Sequence, residues 1–144
     1  MGVRIVKNTA FLVIKRSLFK NKEGIRKGLI NVAPEVKRET KRLIRSPNKT
    51  GRIYNIGGKL HQASAPWEAP ANLSGDLAKS IRSKVTGSTR LKIFTEQPYG
   101  GYMEEGTKDG RIAPRPYLRP AALSKSREVI QAVQLAVKKE IGRK

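Results

Sequence analysis

One stretch constrains the fold more than any other, because its apolar residues recur every three to four positions. The residues that form this stripe are Ile25, Leu29, Val32, Val36, Leu43 and Ile44. Charged residues fill the positions between them, a pattern typical of an amphipathic helix that buries one face. Pro34 lies inside the pattern and predicts a kink or a restart, since proline lacks the amide donor. We expect the helix to end at residues 46–48 (Ser-Pro-Asn), because the residue before a proline avoids helical angles.

Two further patterns predict a small antiparallel sheet and a second helix. Residues 81–85 and 91–94 alternate apolar with polar side chains on either side of a Gly-Ser-Thr turn, which predicts a hairpin with one buried face. Apolar residues at helical spacing predict a C-terminal helix over residues 120–141 that starts at a proline. The predicted fold is one α+β domain over residues 1–144, with the small sheet packed against a long helix in the N-terminal half and the C-terminal helix.

The first 22 residues are weakly patterned. A short edge strand is predicted between Val3 and Lys7. Asn8 or Thr9 then provides a cap for a helix running to Leu18. Two glycines that follow, at positions 24 and 28, argue that this first helix does not run on.

Two long glycine- and proline-containing loops are predicted at residues 48–72 and 97–115. In the first, residues 52–54 and 59–61 predict a short hairpin around the four residues between them. The second loop is expected to contain one turn of helix near residues 102–105. Long loops of this kind in a compact domain are usually functional.

The charge of the chain predicts an acidic partner. There are 31 Lys and Arg residues against 11 Asp and Glu, which gives a formal net charge of +20. Nucleic acid, an anionic membrane and an acidic protein surface all fit this charge, and so does a surface that is merely solvated. The basic residues are spread along the whole chain, and the aromatic residues are not spaced on one strand as a base-stacking platform would need. Sequence-independent phosphate binding needs only charge and stays open.

The inventory of reactive side chains argues against an enzyme. The chain has no cysteine, and its one histidine, His61, lies in a segment that we expect to be exposed. Its two aspartates are Asp76, which suits a helix start, and Asp109. Glu104 and Glu105 are adjacent and therefore point in different directions, so they make a poor catalytic pair. We therefore expect no catalytic residue, cofactor or metal site. We also expect no membrane partner, because the apolar run at residues 10–14 is too short to span a bilayer.

The order of several short motifs is more informative than any one of them. Residues 74–81 read Ser-Gly-Asp-Leu-Ala-Lys-Ser-Ile, residues 99–107 read Tyr-Gly-Gly-Tyr-Met-Glu-Glu-Gly-Thr, and residues 114–121 read Pro-Arg-Pro-Tyr-Leu-Arg-Pro-Ala. In this order they resemble three elements of the tail-completion (neck, minor tail) proteins of long-tailed bacteriophages. Those elements are Ser/Thr-Gly-x-Leu-x-x-Ser-Ile, Tyr-x-x-x-x-Glu-x-Gly-Thr and Pro-Arg-Pro-Phe-Leu-x-Pro-Ala. The resemblance covers about residues 25–141.

The chain departs from that pattern in three places. Tyr117 replaces the commoner phenylalanine. The acidic residue is doubled, and the family's glutamate is assigned to Glu105 by its spacing to the Gly-Thr pair that follows. Trp67 stands where a glycine is common, which leaves the local turn unassigned.

The resemblance implies a structural role for the motif residues. They are Gly75, Leu77, Ser80, Ile81, Tyr102, Glu105, Gly106, Thr107, Pro114, Arg115, Pro116, Tyr117, Leu118 and Pro120. Gly106 is expected to supply a backbone angle that other residues resist, and the prolines to stiffen the approach to the last helix. Glu105 is expected to accept backbone donors or to pair with Arg115 or Arg119.

The resemblance also implies a function, namely a structural virion protein that joins the head connector to the tail. Such a subunit is expected in a hexameric ring, in contact with head connector, adaptor or stopper proteins on one side and tail terminator or tail-tube proteins on the other. It would assemble in the host cytoplasm and stay in the neck of the virion. The expected interface residues are Arg52, Tyr54, His61, Trp67, Arg111 and Arg119.

The positive charge then has two candidate uses. It matches acidic faces of neighbouring rings, which is the preferred interpretation, or it contacts phage DNA in the channel without regard to sequence. The alternative from another class is a small basic nucleic-acid-binding protein. The related adaptor and terminator roles are not separated from tail completion by the motifs.

Overall fold

Eleven elements of secondary structure lie within residues 1–15 and 20–143, the parts of the chain that the computed structural model describes. In chain order they are β1 (Gly2–Val6), β2 (Thr9–Val13), α1 (Lys22–Arg45), β3 (Ile53–Ile56), β4 (Lys59–Gln62), α2 (Asp76–Lys79), β5 (Ile81–Thr86), β6 (Arg90–Thr95), α3 (Gly100–Glu105), α4 (Leu118–Ser124) and α5 (Ser126–Ile141). Strands β1, β2, β6 and β5 form an antiparallel sheet in that order, and β3 pairs only with β4 in a separate hairpin. The α+β class is confirmed, with α1 and α5 packed on each other and α1 on the sheet.

Helix α1 is continuous, so the restart expected at Pro34 does not occur. The side-chain oxygen of Asn21 caps its first turn by accepting the N–H of Gly24 at 2.8 Å. Pro34 lies on the exposed side of the helix, where the carbonyl that it leaves without a partner can bond to water. The helix ends at Arg45, and Ser46 leaves the helical conformation, with ψ at 127°, directly before Pro47, as predicted.

The two glycines of α1 allow α5 to cross it closely. A Cβ atom on Gly28 would lie 2.5 Å from the Cα atom of Val133, and one on Gly24 would lie 2.7 Å from that of Val137. Side chains cannot approach backbone atoms to such distances. These glycines therefore serve helix packing inside α1. The earlier helix that they were expected to keep from running on is absent at residues 9–13, which form strand β2.

The N-terminal segment is part of the main sheet, and the helix predicted there from Asn8 or Thr9 was wrong. Thr9–Val13 is strand β2, which pairs with both β1 and β6. The physical reason is the alternation of side chains: Ala10 and Leu12 are buried, whereas the residues between them face outward. The predicted edge strand is confirmed as β1, and the predicted helix end at Leu18 lies outside the described residues.

The β5–β6 hairpin is confirmed, with a buried inner face that continues across β2. The core lies between this face and the apolar stripes of α1, α4 and α5. The largest fully buried side chains include Leu12, Leu29, Leu91, Ile93 and Val129. Within residues 1–15 and 20–143, no helix combines the length and apolarity that crossing a membrane requires.

The C-terminal helix differs from the prediction in two ways. It begins at Leu118, two residues before Pro120, and it is interrupted at Lys125, which separates α4 from α5. Serines on both sides of the break bond to helix carbonyls: Ser124 Oγ donates to Ala121 at 3.0 Å and Ser126 Oγ donates to Leu123 at 2.8 Å. Such side-chain bonds compete with the helical ladder and favour a break.

Candidate docking site

A hairpin formed by β3 and β4 exposes apolar side chains on both of its faces. We call residues 53–62 the docking arm. The register pairs Tyr54 with His61 and Asn55 with Leu60, so Ile53 and Leu60 share one face while Tyr54 and Ile56 share the other. All four of these apolar side chains are exposed, Leu60 to 78%. The hairpin predicted from the sequence is confirmed, although its turn has two residues, Gly57-Gly58 at φ +58° and +82°, instead of four.

The apolar side chains of the docking arm are not covered by the rest of the described chain. A two-stranded hairpin on its own is marginally stable in water, because one pair of strands buries little surface. Its open edges also offer unpaired backbone groups to another chain. Exposed apolar patches of this kind usually mark interaction sites.

Hydrogen bonds fix the base of the arm. The N–H of Gly51 donates to Ala63 at 2.9 Å, and the N–H of Ala63 donates to Arg52 at 3.0 Å. The Glu68 carboxylate accepts the N–H of Thr50 at 3.0 Å, the hydroxyl of Thr50, and the N–H of Ala65 at 2.8 Å. These bonds, the Thr50 hydroxyl foremost, hold the pKa of Glu68 below its ordinary value.

A buried lysine joins the same loop to the end of α1. Lys49 Nζ donates to the carbonyl of Leu43 at 3.0 Å and to that of Ala69 at 2.8 Å. Burial lowers the pKa of this ammonium, because it has little water around it. The predicted loop 48–72 is therefore a braced structure from which the arm projects.

Trp67 is exposed on a backbone conformation that tryptophan rarely adopts. Its φ angle is +70°, in the left-handed region, and its side chain is 73% exposed. Glycine would adopt this angle without strain, whereas a residue with a Cβ atom does so at a cost. Backbone strain beneath an exposed tryptophan indicates a functional position.

The two long loops contact each other. The N–H of Trp67 donates to the carbonyl of Pro114 at 2.7 Å, and Nε of Arg115 donates to that of Ser64 at 3.3 Å. The backbone N–H of Arg115 also donates to Met103 at 2.7 Å. Arg115 thus links both loops, which meet where Ser64 and Trp67 contact residues 114–115.

The structural carboxylate of the second loop is Glu104, and not Glu105. Glu104 is 5% exposed, and its oxygens accept the N–H groups of Tyr117 at 2.8 Å, Leu118 at 2.8 Å and Arg119 at 2.9 Å. It caps the first turn of α4, the role expected of Glu105. Glu105 is exposed, and within the described residues it accepts no backbone bond and pairs with neither Arg115 nor Arg119. The sequence could have identified Glu104, because the motif Tyr-x-x-x-x-Glu-x-Gly-Thr has one residue between its glutamate and its glycine. In this chain that spacing places the glutamate at position 104.

Gly106 turns the chain directly after this carboxylate. Its φ angle is +76°, and a Cβ atom would lie 2.7 Å from the carbonyl oxygen of Ile112, so glycine is required for both angle and space. Thr107 closes the loop that follows, because its N–H donates to Ile112 at 2.9 Å and its hydroxyl donates to Asp109 at 2.6 Å. The special backbone angle expected of Gly106 is therefore present.

The remaining motif residues support the fold. Gly75 precedes α2 at φ +83°, Leu77 is buried, and the hydroxyl of Ser80 lies in a buried hydrogen bond with that of Thr95. Tyr117 is fully buried and donates its hydroxyl to Gly100 at 3.1 Å, and burial raises its pKa. The other members are Ile81 and Leu118 in the core, Pro114, Pro116 and Pro120 in half-buried positions, and Tyr102, which is exposed.

The expected interface residues lie in three places. Arg52, Tyr54 and His61 belong to the arm or its base, where Tyr54 and His61 are direct cross-strand partners. Arg111 forms an ion pair with Asp109 at 3.2 Å in the second loop, and Arg119 is exposed in the first turn of α4. Trp67 lies at the junction between the loops.

The chemistry around these loops is sparse. A groove of about 740 Å³ lies between the β1–β2 turn and the second loop, and its lining includes Lys7, Tyr102, Glu105 and Thr107. Among the residues that the structure describes, no three His, Cys, Asp or Glu side chains are grouped so that they could hold a metal ion.

Comparison of the chain with protein-family models, with curated proteins and with solved structures finds no match.

Proposed function

We propose that this protein is a structural subunit of a bacteriophage virion that joins the head connector to the tail by docking and ring assembly. One observation carries the proposal: the docking arm presents apolar side chains on two faces from a rigid base. A two-stranded arm of this form is marginally stable on its own and would gain stability when another surface covers its apolar side chains. Assembly into a ring of identical subunits would provide such a surface in every copy.

The proposed ring is a hexamer in the neck of the virion, assembled in the host cytoplasm. Its arms contact the neighbouring subunit or an adjoining ring. The proposed neighbours are the head connector, adaptor or stopper proteins on one side and the tail terminator or tail-tube proteins on the other. With 31 basic against 11 acidic residues, electrostatic attraction to acidic faces would speed and orient this docking.

The motif residues support this proposal through their structural roles. Glu104 caps α4, Gly106 turns the second loop, and Arg115 holds the two loops together. All three interactions shape a surface, and no reaction or cofactor is proposed for them.

The test is electron microscopy of a phage whose gene for this protein is deleted. We expect full heads and finished tails that remain separate, and expect the wild-type gene in trans to restore joined virions. Normal joined virions without the protein would contradict the proposal.

A paired variant tests whether the docking arm is responsible. Leu60→Ser on the arm should not restore joining, whereas Leu135→Ser, at a side chain that is 57% exposed on α5, should restore it. Both changes replace one exposed leucine, so both proteins are expected to fold. Equal restoration by the two variants would exclude the arm as the docking element.

A further inference from the structure

The four-stranded sheet has a second face that the helices do not cover. The helices pack on the face that carries Leu12, Leu91 and Ile93. Because side chains alternate along a strand, the residues between these point to the opposite, outer face. The strand register places them in three rows: Gly2, Val13, Arg90 and Thr86; then Arg4, Phe11, Lys92 and Lys84; then Val6, Thr9, Phe94 and Arg82.

This outer face is strongly basic. It carries five cationic side chains, and none of its twelve residues, all in the described part of the chain, is acidic. Arg82 pairs with Glu96 at 3.0 Å. The other four, Arg4, Lys84, Arg90 and Lys92, form no ion pair with a residue in the ranges 1–15 and 20–143.

Two aromatic rings lie among these cations on the central strands. Phe11 is opposite Lys92 and Thr9 is opposite Phe94, so the two phenylalanines are diagonal neighbours across β2 and β6. Both rings are partly exposed on the outer face. Lys92 Nζ lies over the Phe11 ring, 5.4 Å from its centroid, in a cation–π contact.

We propose that the outer face of the sheet binds single-stranded nucleic acid without regard to sequence. The unpaired cations would contact the phosphates, and unpaired bases would stack on Phe11 and Phe94. The rings favour nucleic acid over an acidic protein surface, which would need only the charges. They favour a single strand over a duplex because a duplex hides its base faces. The proposal does not depend on ring assembly, since one chain carries the whole face.

Fluorescence anisotropy with the full chain tests this binding, using a labelled twenty-nucleotide oligothymidylate and a duplex of twenty base pairs. The single strand should bind more tightly at every salt concentration. Four phosphate contacts predict a slope of about −3 for the logarithm of the association constant against the logarithm of salt concentration.

Two variants of equal charge separate this face from charge in general. Arg4→Gln/Lys84→Gln/Lys92→Gln on the face should weaken binding at least about tenfold and reduce the salt slope by about two. The control is Arg26→Gln/Arg45→Gln/Lys138→Gln at exposed helical positions, which also removes three charges. It should weaken binding less than about threefold.

The rings are tested by Phe11→Leu/Phe94→Leu, which keeps apolar side chains on the strands. We expect it to remove the preference for the single strand. Ultraviolet crosslinking of an iodouracil-containing oligonucleotide to the unmodified protein gives a readout that does not depend on the folding of any variant. The crosslinked peptides should come from β2 and β6.

Four outcomes would overturn the inference: no binding, duplex binding as tight as single-strand binding, equal losses in the two charge variants, or crosslinks outside the sheet face. None of them bears on head–tail joining, which depends on the arm. Failure of this inference is therefore distinguishable from failure of the proposed function.

Discussion

The carboxylate of Glu104 in α3 accepts the backbone N–H of Leu118, the first residue of α4, at 2.8 Å. The same carboxylate also bonds to the N–H groups before and after Leu118, so it satisfies three of the donors that a helix start leaves unpaired. A carboxylate at the N-terminal end of a helix also interacts favourably with the helix dipole. One side chain thus fixes the second loop onto the helix that follows it.

Glu104→Gln should therefore destabilise the protein, whereas Glu105→Gln should not. The amide keeps the size of the side chain, but it loses the charge and replaces one acceptor oxygen with a donor that faces N–H groups. We expect a loss of about 2 kcal/mol in the free energy of unfolding, measured by urea denaturation. The change at the exposed Glu105 should stay within about 0.5 kcal/mol. Equal effects of the two substitutions would contradict the assignment of the cap to Glu104.

Gly28→Ala should separate α1 from α5. Alanine favours a helix over glycine by about 1 kcal/mol, but its Cβ atom would lie 2.5 Å from the Cα atom of Val133. Relieving that overlap requires the helices to shift, so we expect a net loss of about 2 kcal/mol in thermal or urea unfolding. Gly2→Ala is the control, because its Cβ atom would meet nothing within 4 Å. A stabilised Gly28→Ala variant would show that the crossing can relax without cost.

The sequence predicted those parts of the fold in which the spacing of apolar residues along one segment is enough to determine its secondary structure. The stripe from Ile25 to Ile44 gave the long helix, and the alternation on either side of Gly87 gave the β5–β6 hairpin. Prediction failed where local signals compete. Thr9 is a good helix cap in isolation, yet its segment is a strand because Ala10 and Leu12 enter the core between two other strands.

The candidate site was predictable only in part. The hairpin of the arm was predicted from the glycines of its turn. The exposure of apolar side chains on both of its faces was not, because it depends on where the rest of the chain packs. The sequence showed that Trp67 stands where a glycine was expected. The backbone strain that follows from this residue becomes evident only from its φ angle of +70° in the structure. Phe11 and Phe94 are far apart in the sequence and become diagonal neighbours only when β2 pairs with β6, so spacing along one strand does not reveal them.

The base of the arm should weaken in acid because of Glu68. Hydrogen bonds from the Thr50 hydroxyl and from backbone donors lower the pKa of Glu68 in the folded protein. A carboxyl group with a lowered pKa stabilises the fold above its unfolded-state pKa, about 4.3 for glutamate, and loses that contribution as the pH falls through the folded-state pKa. We expect wild type to unfold at a higher temperature than Glu68→Gln at pH 7, and the difference to shrink below about pH 4.3. A difference that grows in acid would be inconsistent with this role.

Substitutions of Trp67 should separate the stability of the fold from docking. Trp67→Gly relieves the left-handed backbone angle, whereas Trp67→Ala retains it, so the glycine variant should be more stable by about 1 kcal/mol in urea unfolding. Both variants lack the exposed ring and should fail equally to restore head–tail joining, because exposed tryptophans often dominate interface energies. Leu123→Ala, at another exposed apolar side chain, is the control and should restore joining. If Trp67→Gly restored joining fully, the strained tryptophan would have no part in docking, and its conformation would need another explanation.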